Sequence, residues 1–321
     1  MLPRKKEKFS LTLFMLLLFI SIFAMNFTPN LSIASTSTVV SQASVVSASS
    51  VVDAIAVWQH GETAAQDIWY SIWDDTNSYW WVPSGGQASS IAALAGSDVD
   101  PNIAFNRQGN AIAVWSHKTE SASLGYDIWY SKWSGNDWAA PAEVASLTGN
   151  DTDPAVAFDT NGWAISIWVH NSTKIYYSLW DGTNWIGPAQ AIVSDWPLLP
   201  FWGSALPEIA FTTNRAKGYT SNKAVAIWTQ WIVYPEVPPL LISRIYYAVW
   251  DGIGWSPSPA EEIPGQVYNA AKDGTPSVFR NSVSSDNLNN VVAVWSTDNI
   301  LRPMYYALWN GHSCGDATAL D

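Results

Sequence analysis

The sequence predicts an all-β chain, a β-propeller of five four-stranded antiparallel blades, on three observations. A block consisting of a short apolar strand ending in tryptophan, a second strand rich in Trp and Tyr, and usually one more tryptophan occurs five times. Its first tryptophan stands at Trp58, Trp115, Trp168, Trp228 and Trp295, so the copies are spaced by 57, 53, 60 and 67 residues. Within a copy, short runs of Ala, Ile, Val, Trp and Tyr are bounded by Gly, Asn, Asp and Pro, as strands and hairpin turns require. Helical periodicity is absent after the first 34 residues, and β repeats of this length point to propeller blades rather than helical solenoids.

Residues 1–34 are of different material. Arg4, Lys5, Lys6 and Lys8 form a basic start, 11–25 is almost wholly apolar, and Ser32, Ile33 and Ala34 supply small residues for a peptidase. This reads as a signal peptide, with an uncleaved membrane anchor as the alternative. A secreted or cell-surface location follows from either. Residues 35–50, rich in Ser, Thr and Val, form a linker or a closing β-strand, and 51–321 is the propeller.

The second copy shows the blade most clearly. Strand a is expected at 102–105, between Pro101 and a turn at 107–110; strand b at 111–115; strand c at 128–133; and strand d from Trp138 through Ala145. Strands b are apolar on both alternating faces, which fits a sheet covered on each side by a neighbouring sheet. Their tryptophans are therefore assigned to the packing between blades. The first copy lacks its own strand a, and 38–46 is expected to fill that place. The last copy ends near its strand d, and Cys314 stands in the slot held by Trp138, Trp185 and Trp255. Five blades that close, or part of a longer propeller, are the two readings.

Composition excludes some functions. The 321 residues are 48% hydrophobic and 13% charged, enough for a large core. Lys and Arg total 15 against 27 Asp and Glu, a net charge of −12, and the part after residue 34 is three charges more acidic still. Nucleic acid is excluded as a partner, because phosphate contacts need a basic surface. A single cysteine rules out an internal disulfide and a cysteine-based zinc site. A monomer is expected, with membrane contact only through an uncleaved signal.

The c-to-d turns carry a family likeness. Ser178, Gly182 and Trp185, and likewise Ser131, Gly135 and Trp138, fall at the spacing of an eight-residue hairpin. This resembles the Asp-box (BNR-type) turn of sialidase-like propellers, with the aspartate displaced by one position at Asp181 and replaced by Ser134 in the second copy. The resemblance implies the fold more than an activity, since those families include hydrolases as well as sugar-binding and adhesive propellers. The Phe-Arg-Ile-Pro signature of a sialidase is missing, with Phe279, Arg280 and Asn281 its nearest approach.

Candidate site residues gather on the face shared by the d-to-a and b-to-c loops. His60, His117 and His170 each lie two residues beyond the strand b tryptophan. Asp98 and Asp100 precede Pro101, Asp151 and Asp153 precede Pro154, and Asp67 and Asp127 open strand c. Carboxylate with imidazole suits sugar hydroxyls or a divalent cation, the one cofactor this set suggests. The competing reading is that each Asp caps its own turn and each His bonds the neighbouring loop. Two insertions in the fourth copy add Trp196, Trp202, Trp231 and Tyr234, rings that could stack on a sugar, meet a partner surface, or pack on each other as a lid.

No nucleophile elbow, HExxH motif or phosphate-binding loop is present. The expected function is a propeller that binds carbohydrate or a surface protein without catalysis. One alternative is a glycoside hydrolase or lyase using Asp100, Asp153 and Asp273, with Glu208 beside them. Another is a purely structural or adhesive scaffold.

Overall fold

The chain forms a β-propeller of five antiparallel blades. The computed structural model describes residues 43–47, 54–62, 65–91, 94–119, 125–192, 201–212, 223–234, 240–266, 278–286, 290–297 and 304–320. The signal-peptide expectation for 1–34 lies outside them. Among the described residues no helix is long and apolar enough to cross a membrane.

Blade 1 comprises β1 (Ala43–Ser47), β2 (Ala54–Glu62), β3 (Ala65–Asp74) and β4 (Tyr79–Trp81), with the short β5 (Ser89–Ser90) also on β3. Blade 2 is β6 (Ser97–Phe105), β7 (Ala111–Lys118), β8 (Asp127–Trp133) and β9 (Ala142–Glu143). Blade 3 is β10 (Asp151–Phe158), β11 (Ala164–His170), β12 (Lys174–Trp180) and β13 (Trp185–Ala191). Blade 4 is β14 (Phe201–Phe211), β15 (Ala224–Tyr234), β16 (Leu240–Trp250) and β17 (Trp255–Glu262). Blade 5 is β18 (Val278–Ser285), β19 (Val291–Thr297), β20 (Met304–Trp309) and β21 (Thr318–Leu320). The first strands of successive blades lie side by side, β1 on β6, β6 on β10, β10 on β14 and β14 on β18, and so form the inner wall.

Packing between blades follows one plan, because the second strand of each blade is apolar on both faces. In β7, Ile112 and Val114 face blade 3, while Ala111, Ala113 and Trp115 face blade 1. A tyrosine of one blade's third strand meets two tryptophans of the next blade. Tyr70 lies 6.0 Å from Trp133 and 5.7 Å from Trp138; Tyr130 lies 5.7 Å from both Trp180 and Trp185; Tyr177 lies 5.7 Å from Trp250 and 5.6 Å from Trp255. Ring pairs at such tilted and edge-on angles contribute about 0.5–1.5 kcal/mol beyond the area they bury. At the next junction Tyr247 packs with Trp309 and Cys314, beside a small apolar cavity of about 10 Å³.

The turns after the third strand are set by one carboxylate. Asp181 Oδ1 accepts the backbone N–H groups of Thr183 and Asn184, both at 2.7 Å, and Asp251 does the same for Ile253 and Gly254 at 2.8 and 2.9 Å. The glycine that follows takes a positive φ, 98° at both Gly135 and Gly182. A Cβ at Gly135 would meet nothing within 4 Å, so conformation rather than space requires glycine there.

Three expectations are corrected. The first strand of blade 2 starts at Ser97 rather than after Pro101, and that of blade 3 at Asp151. Proline has no N–H for the ladder, yet the strand runs through it as a bulge, with register shifts at Val99/Asn102, Thr152/Ala155 and Ala205/Glu208. The strand of residues 38–46 is placed at Ala43–Ser47, paired with β2. In the fourth-copy insertions Trp202 lies in β14, and Trp231 and Tyr234 in β15, whose pairing with β16 runs on to Tyr234 opposite Leu240, while 195–200 and 235–239 lie outside the described residues.

Candidate functional site on the inner strands

Two histidines are locked into their own blades. Asp98 and His117 face each other across β6 and β7, and Asp98 Oδ1 takes the Trp115 indole N–H at 3.0 Å and His117 Nδ1 at 2.6 Å. Asp151 repeats this with Trp168 at 2.9 Å and His170 at 2.7 Å. Asp98, His117 and Asp151 are only 1, 3 and 1% exposed. Each of these aspartates thus gathers a tryptophan and a histidine of its own blade.

The remaining His170 nitrogen is also engaged. Asn171 Nδ2 lies 2.9 Å from His170 Nε2, and Asn171 Oδ1 accepts the Asn150 N–H at 2.9 Å. The amide orientation turns Nδ2 of Asn171 toward this ring nitrogen, so both His170 nitrogens have a partner. Asn150 Oδ1 in turn accepts the N–H of Tyr126 at 3.0 Å, joining blade 3 to blade 2. Blade 4 solves the same problem with Gln230, fully buried, whose Oε1 accepts from Trp228 at 3.4 Å. The His60 ring lies tilted 4.4 Å from Trp69, and His60 pairs in register with Asp67.

The other carboxyls, Asp100 and Asp153, are half-buried and lie on the bulges of the inner strands. Asp100 and Asp153 each precede proline with φ of 54° and 53°, and Leu206 holds φ of 54° before Pro207 in blade 4. The three positions are the same bend in three successive blades. Burial pushes the Asp100 carboxyl up to about 6, and the Asp153 charge adds to the rise. Burial likewise raises Asp153, against a hydrogen bond from the Thr152 hydroxyl. Glu208, two residues past Leu206 on the same strand, is pushed up by burial to about 7. Carboxyls held protonated near neutrality can donate a proton, and an ionised neighbour can accept one.

Two further expected acids flank this wall. Asp67 is raised by burial and then by the charge of Asp98 in the next blade; Asp127 is raised by burial and then by Glu143 and Asp151. Among the described residues no three His, Cys, Asp or Glu side chains converge closely enough to hold a metal ion. Trp231 is half-buried opposite Gly203 in the blade 4 extension. Trp196 and Asp273 lie outside the described residues, and Trp202 and Tyr234 are described by backbone alone.

Sequence reasoning passed over three amides that tie neighbouring blades: Gln59, Asn102 and Asn150. Gln59 Oε1 accepts the N–H of Asp100 at 3.2 Å and so holds the bulge, and Asn102 Oδ1 accepts that of Val156 at 3.1 Å. Gln59 directly follows the strand b tryptophan, a place where the other copies carry Ser116, Val169, Thr229 and Ser296; that change was the signal available.

Solved structures share this architecture. A Penicillium chrysogenum alpha-L-arabinanase complexed with arabinobiose matches 88% of this chain and 80% of its own, at 12% identity and a TM-score of 0.54. A Fusarium graminearum alpha-L-arabinofuranosidase in complex with an iminosugar inhibitor matches 87% of this chain and 80% of its own, at 12% identity and a TM-score of 0.52. At that identity the likeness is one of fold. No protein-family model and no curated protein matches the sequence.

Proposed function

We propose that this chain is a carbohydrate-cleaving propeller, a glycoside hydrolase whose reacting carboxyls lie on the inner strands. The observation that carries the reading is the set Asp100, Asp153 and Glu208, on or just past one recurrent bend in three neighbouring blades. Glu208, held protonated to about pH 7, acts as general acid toward the leaving oxygen, and Asp153 acts as the carboxylate partner. The Asp153 charge in turn adds to the rise of Asp100. The arabinan-directed neighbours support carbohydrate as the substrate class. Trp231, half-buried on β15, offers stacking surface for a sugar ring.

Sugar release from arabinan and a broad polysaccharide panel tests this. Glu208→Gln and Asp153→Asn are each expected to lower kcat at least about 100-fold with the fold intact, the scale of general acid–base catalysis. A second reading, binding of carbohydrate or a surface protein without cleavage, draws on the recurrence of the bend with Leu206, which makes the bend itself a feature of the repeat. A protein that binds polysaccharide, loses binding on Trp231→Ala and cleaves nothing would favour it.

We further take the blades as a diverged Asp-box repeat, on the carboxylate-held turns at Asp181 and Asp251. The basic then apolar start is taken as a signal that places the propeller outside the cytoplasm.

A further inference from the structure

Each blade-to-blade interface has two unlike halves. A blade offers its successor aliphatic residues of the second strand and a tyrosine of the third. The successor offers small residues and tryptophans. On blades 1 to 4 the aliphatic half is closed: Ile55 and Val57 in blade 1, like Val225 and Ile227 in blade 4, are at most 3% exposed. On blades 2 to 4 the tryptophan half is closed in the same way, with Trp115, Trp168 and Trp228 at most 1% exposed.

The outward faces of blades 1 and 5 repeat these halves with less complete cover, Val292 being half-buried and Val294 6% exposed. Blade 5 carries the aliphatic half in Val292 and Val294, followed by Tyr306 at the place of Tyr70, Tyr130 and Tyr177. Beside it Leu308 is 52% exposed, whereas Ile72, its counterpart in blade 1, is 1% exposed. Blade 1 carries the tryptophan half: Ala54, Ala56, Trp58 and the Trp73–Trp80 pair at 5.4 Å are all half-buried. Among the described residues four buried cores join successive blades, and none joins blade 5 to blade 1.

We infer that these two faces receive a sixth four-stranded blade of this same repeat, supplied by polypeptide outside these 321 residues. Such a blade would set a tryptophan pair around Tyr306 and a tyrosine against Trp73 and Trp80, continuing the interface that already recurs four times. The inference does not depend on the proposed activity. A second copy of this chain could also present a complementary half, in a head-to-tail contact that closes into a ring or runs on; that is an outcome of the test.

The test fuses a copy of blade 3, residues 151–192, after Asp321 through a flexible linker. Blade 3 carries both halves, in Trp168, Trp180 and Trp185 on one face and Ile165, Ile167 and Tyr177 on the other. Thermal unfolding and light scattering are compared with the unfused chain. A monomeric fusion unfolding several degrees higher is expected, with Leu308→Asp cancelling the gain while leaving the unfused chain nearly unchanged. No gain on fusion, or a gain that survives Leu308→Asp, overturns the inference. An unfused chain that self-associates with concentration, and is dispersed by Leu308→Asp, assigns the faces to a second copy instead.

Discussion

His117 Nδ1 lies 2.6 Å from Asp98 Oδ1, with both side chains closed to solvent. The carboxylate also holds the Trp115 indole N–H at the core between blades 1 and 2. Removing it would strand two buried donors at once.

Asp98→Ala is therefore expected to cost at least about 2 kcal/mol, since each buried donor left without a partner costs about 1–3 kcal/mol. Urea unfolding measures it. Asp98→Ala combined with His117→Ala should cost less than the two single changes added together, since each single change already forfeits the shared bond. Strict additivity would mean that the pair is not coupled.

Stability should fall as pH rises from about 4.5 to 7. Folded-state carboxyl affinities raised by burial, to about 6 at Asp100 and about 7 at Glu208, mean that the native state keeps protons the unfolded chain has released. Their contribution is fully present below the unfolded values near 4 and is lost through the folded ones. Asp100→Asn with Glu208→Gln should raise Tm by a few degrees at pH 8 and leave it nearly unchanged at pH 4. Asparagine tolerates the positive φ at position 100, so the comparison is not confounded by strain. The turn aspartates Asp74, Asp181 and Asp251 act in the opposite sense, being lowered by the N–H groups they accept. Their support is present above the ordinary value and is lost as pH falls through the lowered one.

Cys314→Trp should stabilise blade 5. Cys314 bridges Trp309 as Trp138 bridges Trp133, so the backbone already fits, and the cavity by Tyr247 marks ring contact not made. A gain of about 1 kcal/mol is expected from the restored ring pairs. A lower Tm would show that the slot has closed around sulfur. In the native protein, burial and then the Asp316 charge push the thiol up to about 11, so alkylation near pH 7 should be slow until the chain unfolds.

The blades could be read in the sequence because strands such as 111–115 are apolar on both faces, a pattern that few arrangements other than stacked sheets bury. Tyr130 and Trp133 belonged to that reading. Asp100 and Pro101 did not, because a proline that removes a ladder hydrogen bond looks like a turn until the strand is seen to resume beyond it. The histidines carried the same ambiguity: spacing located His117, but only the Asp98 contact shows that its function is internal. Glu208 stood out weakly, since burial is what distinguishes it and its sequence neighbours do not announce that burial. In blade 4 the prolines at 235, 238 and 239 mask, in the sequence, the hairpin pairing that precedes them.

The bend before proline has one further consequence. Leu206 adopts the same left-handed φ as Asp100 and Asp153, although a branched aliphatic residue gains nothing locally from that conformation, which costs about 1–2 kcal/mol. Geometry there is inherited by the repeat, while the side chain it carries is free to vary. Duplication has in effect furnished the inner wall with identical sockets, and a single codon change at any one of them rewrites what the wall presents.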